Sequence, residues 1–425
     1  MHIQLAYGKT GLQVEFPDNW NIQVVEPLFA PGLPDPVDAV RKALRIPIGM
    51  PSIRNVVGNG PVGIIFNDIT RPTPNPLLLK AILAELPDVE QTNITLFVAL
   101  GSHRQMTTGE LCTMFGNDVA DSFRIVQNNA FDCSTQVFVG TTTHGNEVWI
   151  NRMLIECPIR IMTGFIEPHF FAGFSGGGKA IMPGMAGQST ILRNHRAENI
   201  AHPKATGGFT SGNPIWEEIH ETARMVEERS NGKNFLINVA LNRNKEITAI
   251  FAGDLDAAHK AGVEFVRKKA MVRVNQAFDI VVTTNSGYPL DLNLYQAVKG
   301  MSAAARVVRQ GGAIVVAADC WDGIPEHGLY GDLLRASGTP QKLLESLNTP
   351  GFLKQDQWQA QIQAQIQLKA DVYVYSSHLS EKQIRSAMLL PAPSIESVMY
   401  DLVDKYGPAA SICILPEGPQ TVPYI

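Results

Sequence analysis

Short apolar runs alternate with amphipathic stretches along most of the chain. This is the pattern of an α/β protein built on mostly parallel sheets with flanking helices. Apolar runs predict strands at 62–66 (VGIIF), 94–100 (ITLFVAL), 159–165 (IRIMTGF), 279–284 (DIVVTT), 312–318 (GAIVVAA), 371–375 (DVYVY) and 411–415 (SICIL). Amphipathic stretches predict helices at 76–86, 214–229, 254–270, 291–308 and 394–405. In 254–270, Leu255, Ala258, Phe265 and Val266 share one face, with His259 and the Arg267–Lys269 run expected toward solvent. In 291–308, Leu294, Val298, Met301 and Ala305 form a core stripe. Tyr295, Gln296 and Lys299 lie on an adjacent face, Tyr295 and Lys299 four residues apart, and Asp291 is placed to cap the helix. No internal repeat or low-complexity tract interrupts the pattern.

A chain of 425 residues is long for one core, because single cores stop growing at roughly 250–300 residues. The helix that ends in a charged run near 270, followed by a fresh strand at Asp279, places a boundary there. The expected division is 1–272 and 273–425, the last segment being free to return to either part, with the active site in the cleft between them. The net charge of −5, with no basic run, argues against a nucleic-acid partner. The first residues lack a secretory pattern, and no apolar run approaches the ~20 residues that span a bilayer, so no membrane partner is expected. The five cysteines are scattered, odd in number and without a Cys-x-x-Cys pair, as for reduced thiols in a cytoplasm.

Chemistry-bearing residues follow three of the predicted strands: Asp68 and Arg71 in NDITRP, His103 in GSHR, and Glu167 and His169 in IEPHFF. Ligands of open α/β sheets sit beyond the carboxyl ends of the strands. If these strands are parallel, an arginine and two histidines meet on one rim. The stretch GFSGGGKA (173–180) then comes close to a nucleotide phosphate loop. Three features count against that reading: Ala180 replaces the metal-binding Ser or Thr, EPHFFA separates the loop from its strand, and Pro183 stops a following helix. What survives is Lys179 among flexible glycines and Phe170, Phe171 and Phe174. A crowded, apolar setting lowers a lysine's pKa and makes the amine a nucleophile or covalent anchor.

Taken together, GFIEPHFFAGFSGGGKAIMPG (164–184), NDITRP (67–72), ALGSHR (99–104), NHRAENI (194–200), FAGD (251–254), GYPLDLNLYQAVKGM (287–301) and DQW (356–358) resemble the nickel-pincer lactate racemase family, which also holds other 2-hydroxyacid racemases and epimerases. The resemblance runs through nearly the whole chain. It implies a pyridinium mononucleotide with two sulfur-bearing groups, a 3-thioamide and a 5-thiocarboxylic acid, which binds nickel and is tethered through the thioamide to Lys179, with His195 as a protein ligand. By the same resemblance Ser175, Gly176 and Gly177 lie at the cofactor, and His103 and His169 are the catalytic pair. Arg71 orients the substrate carboxylate and Asp68 orients its neighbours. Tyr295, Gln296, Lys299 and Trp358 form the substrate neighbourhood, which favours lactate. Other proteins would have to make and install the cofactor.

The implied chemistry suits these residue types. Direct proton loss from Cα of a 2-hydroxy acid is difficult, because the carboxylate stabilises a carbanion poorly. Hydride removal concerted with loss of the hydroxyl proton leaves a planar 2-keto acid, which can turn and receive hydride on its other face. Two enantiomers place the hydroxyl in two positions, which calls for two bases with pKa values near working pH. The chain departs from the family pattern at Gly178, where arginine is common, and at Pro168, where serine is common. Two alternatives stand beside this reading. His195, Glu198 and His202 have a spacing that could hold zinc in a hydrolase, and a non-catalytic protein could use Arg71 alone to clamp a carboxylate. His2, His144, His220, His259, His327 and His378 belong to no motif, and His202 beside Pro203 is expected at a helix end.

Overall fold

A computed structural model describes residues 1–58 and 60–425. Two six-stranded sheets form its frame. In the first, Val62–Asn67 is flanked in parallel by Ile94–Ala99 and Ile159–Phe165. Arg124–Gln127 extends the sheet on one side and Lys233–Leu241 on the other, both parallel, and Ile247–Asp254 closes it antiparallel. Every residue of Ile159–Phe165 is buried, as expected for a strand covered by helices on both faces.

The second sheet is parallel throughout and centres on Phe278–Thr284, between Val308–Ala317 and Ser411–Leu415. Ala370–Tyr375 and Leu390–Pro391 continue one side. The other edge is Asn21–Val24, paired to Ser411–Leu415. The hairpin of His2–Leu5 with Leu12–Glu15 packs Leu5, Val14 and Phe16 into the same core. The first 25 or so residues therefore pack with the second sheet, a long-range pairing that a local hydrophobic pattern does not reveal. At the other terminus, Val422–Tyr424 pairs with Met271–Arg273 at the junction of the two halves. Arg306 adds to this seam, donating to the carbonyl of Pro423 at 2.9 Å and to Thr206 Oγ1 at 2.8 Å.

The predicted strands and helices all form, with ends shifted by a few residues. Pro214–Arg229 starts where its sequence dictates, with proline in the first turn and the Asn213 side chain accepting from the N–H groups of Ile215 and Trp216. Two local expectations are corrected. Helix Leu294–Ala305 is capped by Asn293, which accepts from Gln296 N at 3.1 Å. Asp291 instead turns inward and accepts from Gly8 N at 2.7 Å, fastening the N-terminal hairpin to the second half. His259, expected toward solvent on Leu255–Ala270, is buried, because that face of the helix packs on the glycine-rich loop rather than on water. Among the described residues, no helix is long and apolar enough to cross a membrane.

Candidate active site

The parallel strands Val62–Asn67, Ile94–Ala99 and Ile159–Phe165 deliver their following loops to one edge of the first sheet. Asp68, Arg71, His103 and His169 thereby line one cavity of 140 Å³. Ser175, Gly176, Gly177, Lys179 and His195 join them from the same half. Tyr295, Gln296 and Lys299 on helix Leu294–Ala305, and Trp358 on helix Gln357–Gln367, close the cavity from the second half. The cleft is thus walled by both halves.

Asp68 is 5% exposed, and its Oδ2 lies 2.5 Å from His103 Nδ1. Its Oδ1 accepts from Thr70 N at 3.0 Å and from Thr70 Oγ1 at 2.5 Å, and Arg71 Nη1 donates to that same hydroxyl at 2.7 Å. Burial pushes the Asp68 carboxyl up, but His103, Arg71 and Thr70 together hold it well below the usual carboxylate range. A carboxylate can only accept, so His103 Nδ1 carries a proton and the neutral ring keeps its lone pair on Nε2.

His169 is held the other way round. The Ala172 N–H points at its Nδ1 at 3.2 Å, so the neutral ring carries its proton on Nε2. Its ring packs edge-on against Phe171, with centroids 4.5 Å apart. Burial, then the charges of Lys179, Lys299 and Arg71, keep its pKa well below the ordinary histidine value.

Lys179 sits in the short turn Gly177–Ala180, its amine 5.8 Å from the Phe171 ring. Burial, reinforced by Arg71, lowers its pKa to about 7, which leaves much of the amine neutral near neutral pH. Lys299 is likewise lowered to about 7 by burial and Arg71, with Glu167 opposing. The turn is clamped from behind by residues that carried no motif. Asn238 Oδ1 accepts from Gly177 N at 2.9 Å, and His259 Nε2 donates to the Ser175 carbonyl at 3.0 Å. Gly177 has a φ of +56°, and a Cβ there would stand 2.8 Å from His259 and 2.9 Å from His220, so both backbone and space demand glycine. A polar Asn238 inside the apolar run FLINVAL was the available sequence signal for this clamp.

His195 ends helix Gln188–Asn194 and is 4% exposed. Its ring lies between Phe171 and Trp358, at centroid distances of 5.1 and 4.9 Å. Burial and then Lys179 lower its pKa to about 3, so the ring is neutral and able to ligate. The ring lines the cavity, and the Ile191 carbonyl of its own helix is the backbone group that faces it. Trp358 Nε1 donates to Tyr295 OH at 2.9 Å, joining the two helices of the second half over this ring.

The departures from the family pattern lie off the cavity wall. Gly178 packs on helix Pro214–Arg229, where a Cβ would come 2.9 Å from the Ile219 carbonyl oxygen. Pro168 lines two smaller adjoining cavities. The zinc alternative does not assemble. Glu198 is 79% exposed and paired with Arg196, and His202 is exposed, while His195 faces inward. Among the described residues no group of three or more His, Cys, Asp or Glu side chains is arranged to hold a metal ion. The phosphate-loop resemblance also ends in geometry, since the lysine sits in a short 3₁₀ turn and no long helix starts at it.

Comparison with known proteins gives matches over most of the chain. Residues 7–208 match the family model for the lactate racemase N-terminal domain, and residues 273–422 match that for the lactate racemase C-terminal domain. A lactate racemase of Lactiplantibacillus plantarum is 36% identical over 387 residues, covering 90% of this chain and 89% of that one. A lactate racemase of Thermoanaerobacterium thermosaccharolyticum is 33% identical over 424 residues, covering 98% of each. The solved lactate racemase apoprotein from Thermoanaerobacterium thermosaccharolyticum superposes with a TM-score of 0.90 at 32% identity, covering all of both chains. A Thermotoga maritima protein of solved structure shares the fold at a TM-score of 0.72 and 19% identity, over 93% of this chain and 99% of that one.

Proposed function

The chain belongs to the lactate racemase family and is an isomerase, and from the geometry of its cleft we propose that it interconverts the enantiomers of a small 2-hydroxy acid, lactate first, using a nickel-pincer cofactor held on Lys179. One observation carries this reading: two imidazoles whose Nδ1 atoms make opposite kinds of hydrogen bond line the same cavity as Arg71 and a lysine whose pKa is lowered to about 7.

The residues present fit such a group. A neutral amine is what thioamide formation requires, and Lys179 meets that condition near neutral pH. Lys179 lines the cavity directly, and His195 lines it as a neutral imidazole able to ligate. Lys179 would hold the cofactor, His195 would ligate its nickel, and the turn from Ser175 to Gly177 would lie along it. When bound, the group supplies a reversible hydride acceptor, as nicotinamide does in dehydrogenases.

The rest falls to the chain's own residues. Arg71 binds the substrate carboxylate through its guanidinium fork, with Gln296 and Lys299 opposite. His103 takes the hydroxyl proton at Nε2, and Asp68 stabilises the imidazolium that forms. After the planar keto acid has turned about its held carboxylate, His169 returns a proton to the oxygen in its second orientation, having first taken one up from solvent at Nδ1, and His103 releases the proton it took. In the reverse direction the two rings exchange these roles. Tyr295, Trp358 and Phe171 exclude water, so that the keto acid is not hydrated or lost. In this reading the cofactor and the acid–base pair belong to the part of 1–272 that follows the first 25 or so residues, and 273–425, with those first residues packed on its sheet, closes the cleft. Maturation proteins supply the cofactor, and the five unpaired cysteines suit a reducing cytoplasm. The test is a panel of chiral 2-hydroxy acids given to cofactor-loaded protein and followed by chiral chromatography. Racemisation of lactate above other acids is expected, and no inversion of any 2-hydroxy acid refutes the proposal.

A further inference from the structure

Helix Gln357–Gln367 crosses from the second half onto the loop that carries His195. Two of its residues meet that loop. Trp358 sets its ring against the imidazole at 4.9 Å, and one turn later Gln361 Nε2 donates to the carbonyl of Ala197 at 2.9 Å. Gln361 is 2% exposed, so this is a buried contact between the halves. Gln355, just before the helix, makes a second such contact at 3.4 Å, to the carbonyl of Ser102 beside His103.

The His195 ring already finds the Ile191 carbonyl of its own helix. What the second half adds is a hold on the loop through Ala197 and packing on the ring through Trp358. Groups that orient a ligating histidine from behind ordinarily affect how firmly the metal is kept.

We propose that Gln361 is a positioning residue for His195, its Nε2–H holding the His195 loop through the Ala197 carbonyl while Trp358, one turn earlier, packs on the imidazole. This rests on His195 being a metal ligand, as set out above. A ligand on the first half is then oriented by the half that closes over it, so that metal retention depends on closure.

The experiment uses cofactor-loaded protein challenged with a chelator, with nickel content followed over time. Gln361→Met should lose nickel about 10–100 times faster than the unaltered chain. Gln363→Met is the matched control, because Gln363 is equally buried in the same helix but bonds to the Ala387 carbonyl at 2.7 Å, within the second half. It should keep the original rate even where its thermal stability falls. Unchanged nickel loss in Gln361→Met, or equal acceleration in both variants, overturns the inference. His195→Ala separates the two levels. If it holds nickel as the unaltered chain does, the ligand assignment fails and this inference with it. If it releases nickel rapidly while Gln361→Met does not, only this inference fails.

Discussion

Asp68 accepts the Nδ1–H of His103 at 2.5 Å, and this contact decides which nitrogen of His103 faces the cavity. Replacing Asp68 with Asn keeps the shape but offers an amide that can donate to Nδ1 and reverse the tautomer. The expected outcome is a fall in kcat of about 10²–10⁴, the range ascribed to one positioned proton-transfer group. Cofactor retention, measured by intact-protein mass, should not change. A rate near that of the unaltered protein would show that the tautomer is not set by this carboxylate.

Lys179 and the two histidines should separate anchoring from turnover. Lys179→Ala removes the amine and should abolish the added covalent mass. His103→Ala and His169→Ala should keep that mass and lose racemisation. Covalent cofactor found on Lys179→Ala protein would place the tether elsewhere.

The rim of the site was legible because apolar runs marked the strands and each strand's next residues carried the chemistry. The supports behind the rim were not. His259 falls on the polar side of its helix by spacing alone, and only the fold shows that the glycine turn covers it. Helix Gln357–Gln367 alternates polar and apolar residues with a period of two, which reads as a strand. It is a helix buried nearly all round, and its glutamines find partners in other elements, such as the Ala197 and Ala387 carbonyls. The pairing of Asn21–Val24 with Ser411–Leu415 spans almost the whole chain, and no local pattern encodes it.

The lowered pKa of Lys179 has a consequence for the apoprotein. Its value falls from 10.5 to about 7 on folding, so between these values the unfolded chain binds more protons. Stability therefore rises with pH across that window, and the cost of the buried charge is borne in full below about pH 7. Lys179→Met should raise the Tm at pH 6 and give a shrinking benefit as pH approaches 10. Competitive acylation should also label Lys179 ahead of surface lysines at neutral pH. A benefit independent of pH would mean that the amine is solvated.

Gly177→Ala should destabilise the fold by about 1–3 kcal/mol, since it combines a left-handed φ with contacts to His259 and His220. Denaturant unfolding of the apoprotein measures the loss. Because the same turn carries Lys179, cofactor attachment should slow as well, which a defect confined to general stability would not produce.

The opposed tautomers of His103 and His169 predict an asymmetry between enantiomers. The two enantiomers have equal free energy, so kcat/KM must be the same for both at every pH. Any inequality between the two directions must appear as matched changes in kcat and KM. His103, with Nδ1–H given to Asp68, presents a free Nε2 lone pair whenever its ring is neutral. His169 rests with its proton on Nε2 and must shift it and release the Ala172 N–H before it can accept one. The enantiomer whose hydroxyl meets His103 should therefore show the larger kcat and, by the same factor, the larger KM. Asp68→Asn disarms the favoured base and should narrow the gap by lowering the faster direction most. Separate initial-rate measurements on each pure enantiomer, between pH 6 and 9, test this directly. Identical kcat and KM for both would mean that the two rings exchange protons freely with solvent and that their resting tautomers do not govern turnover.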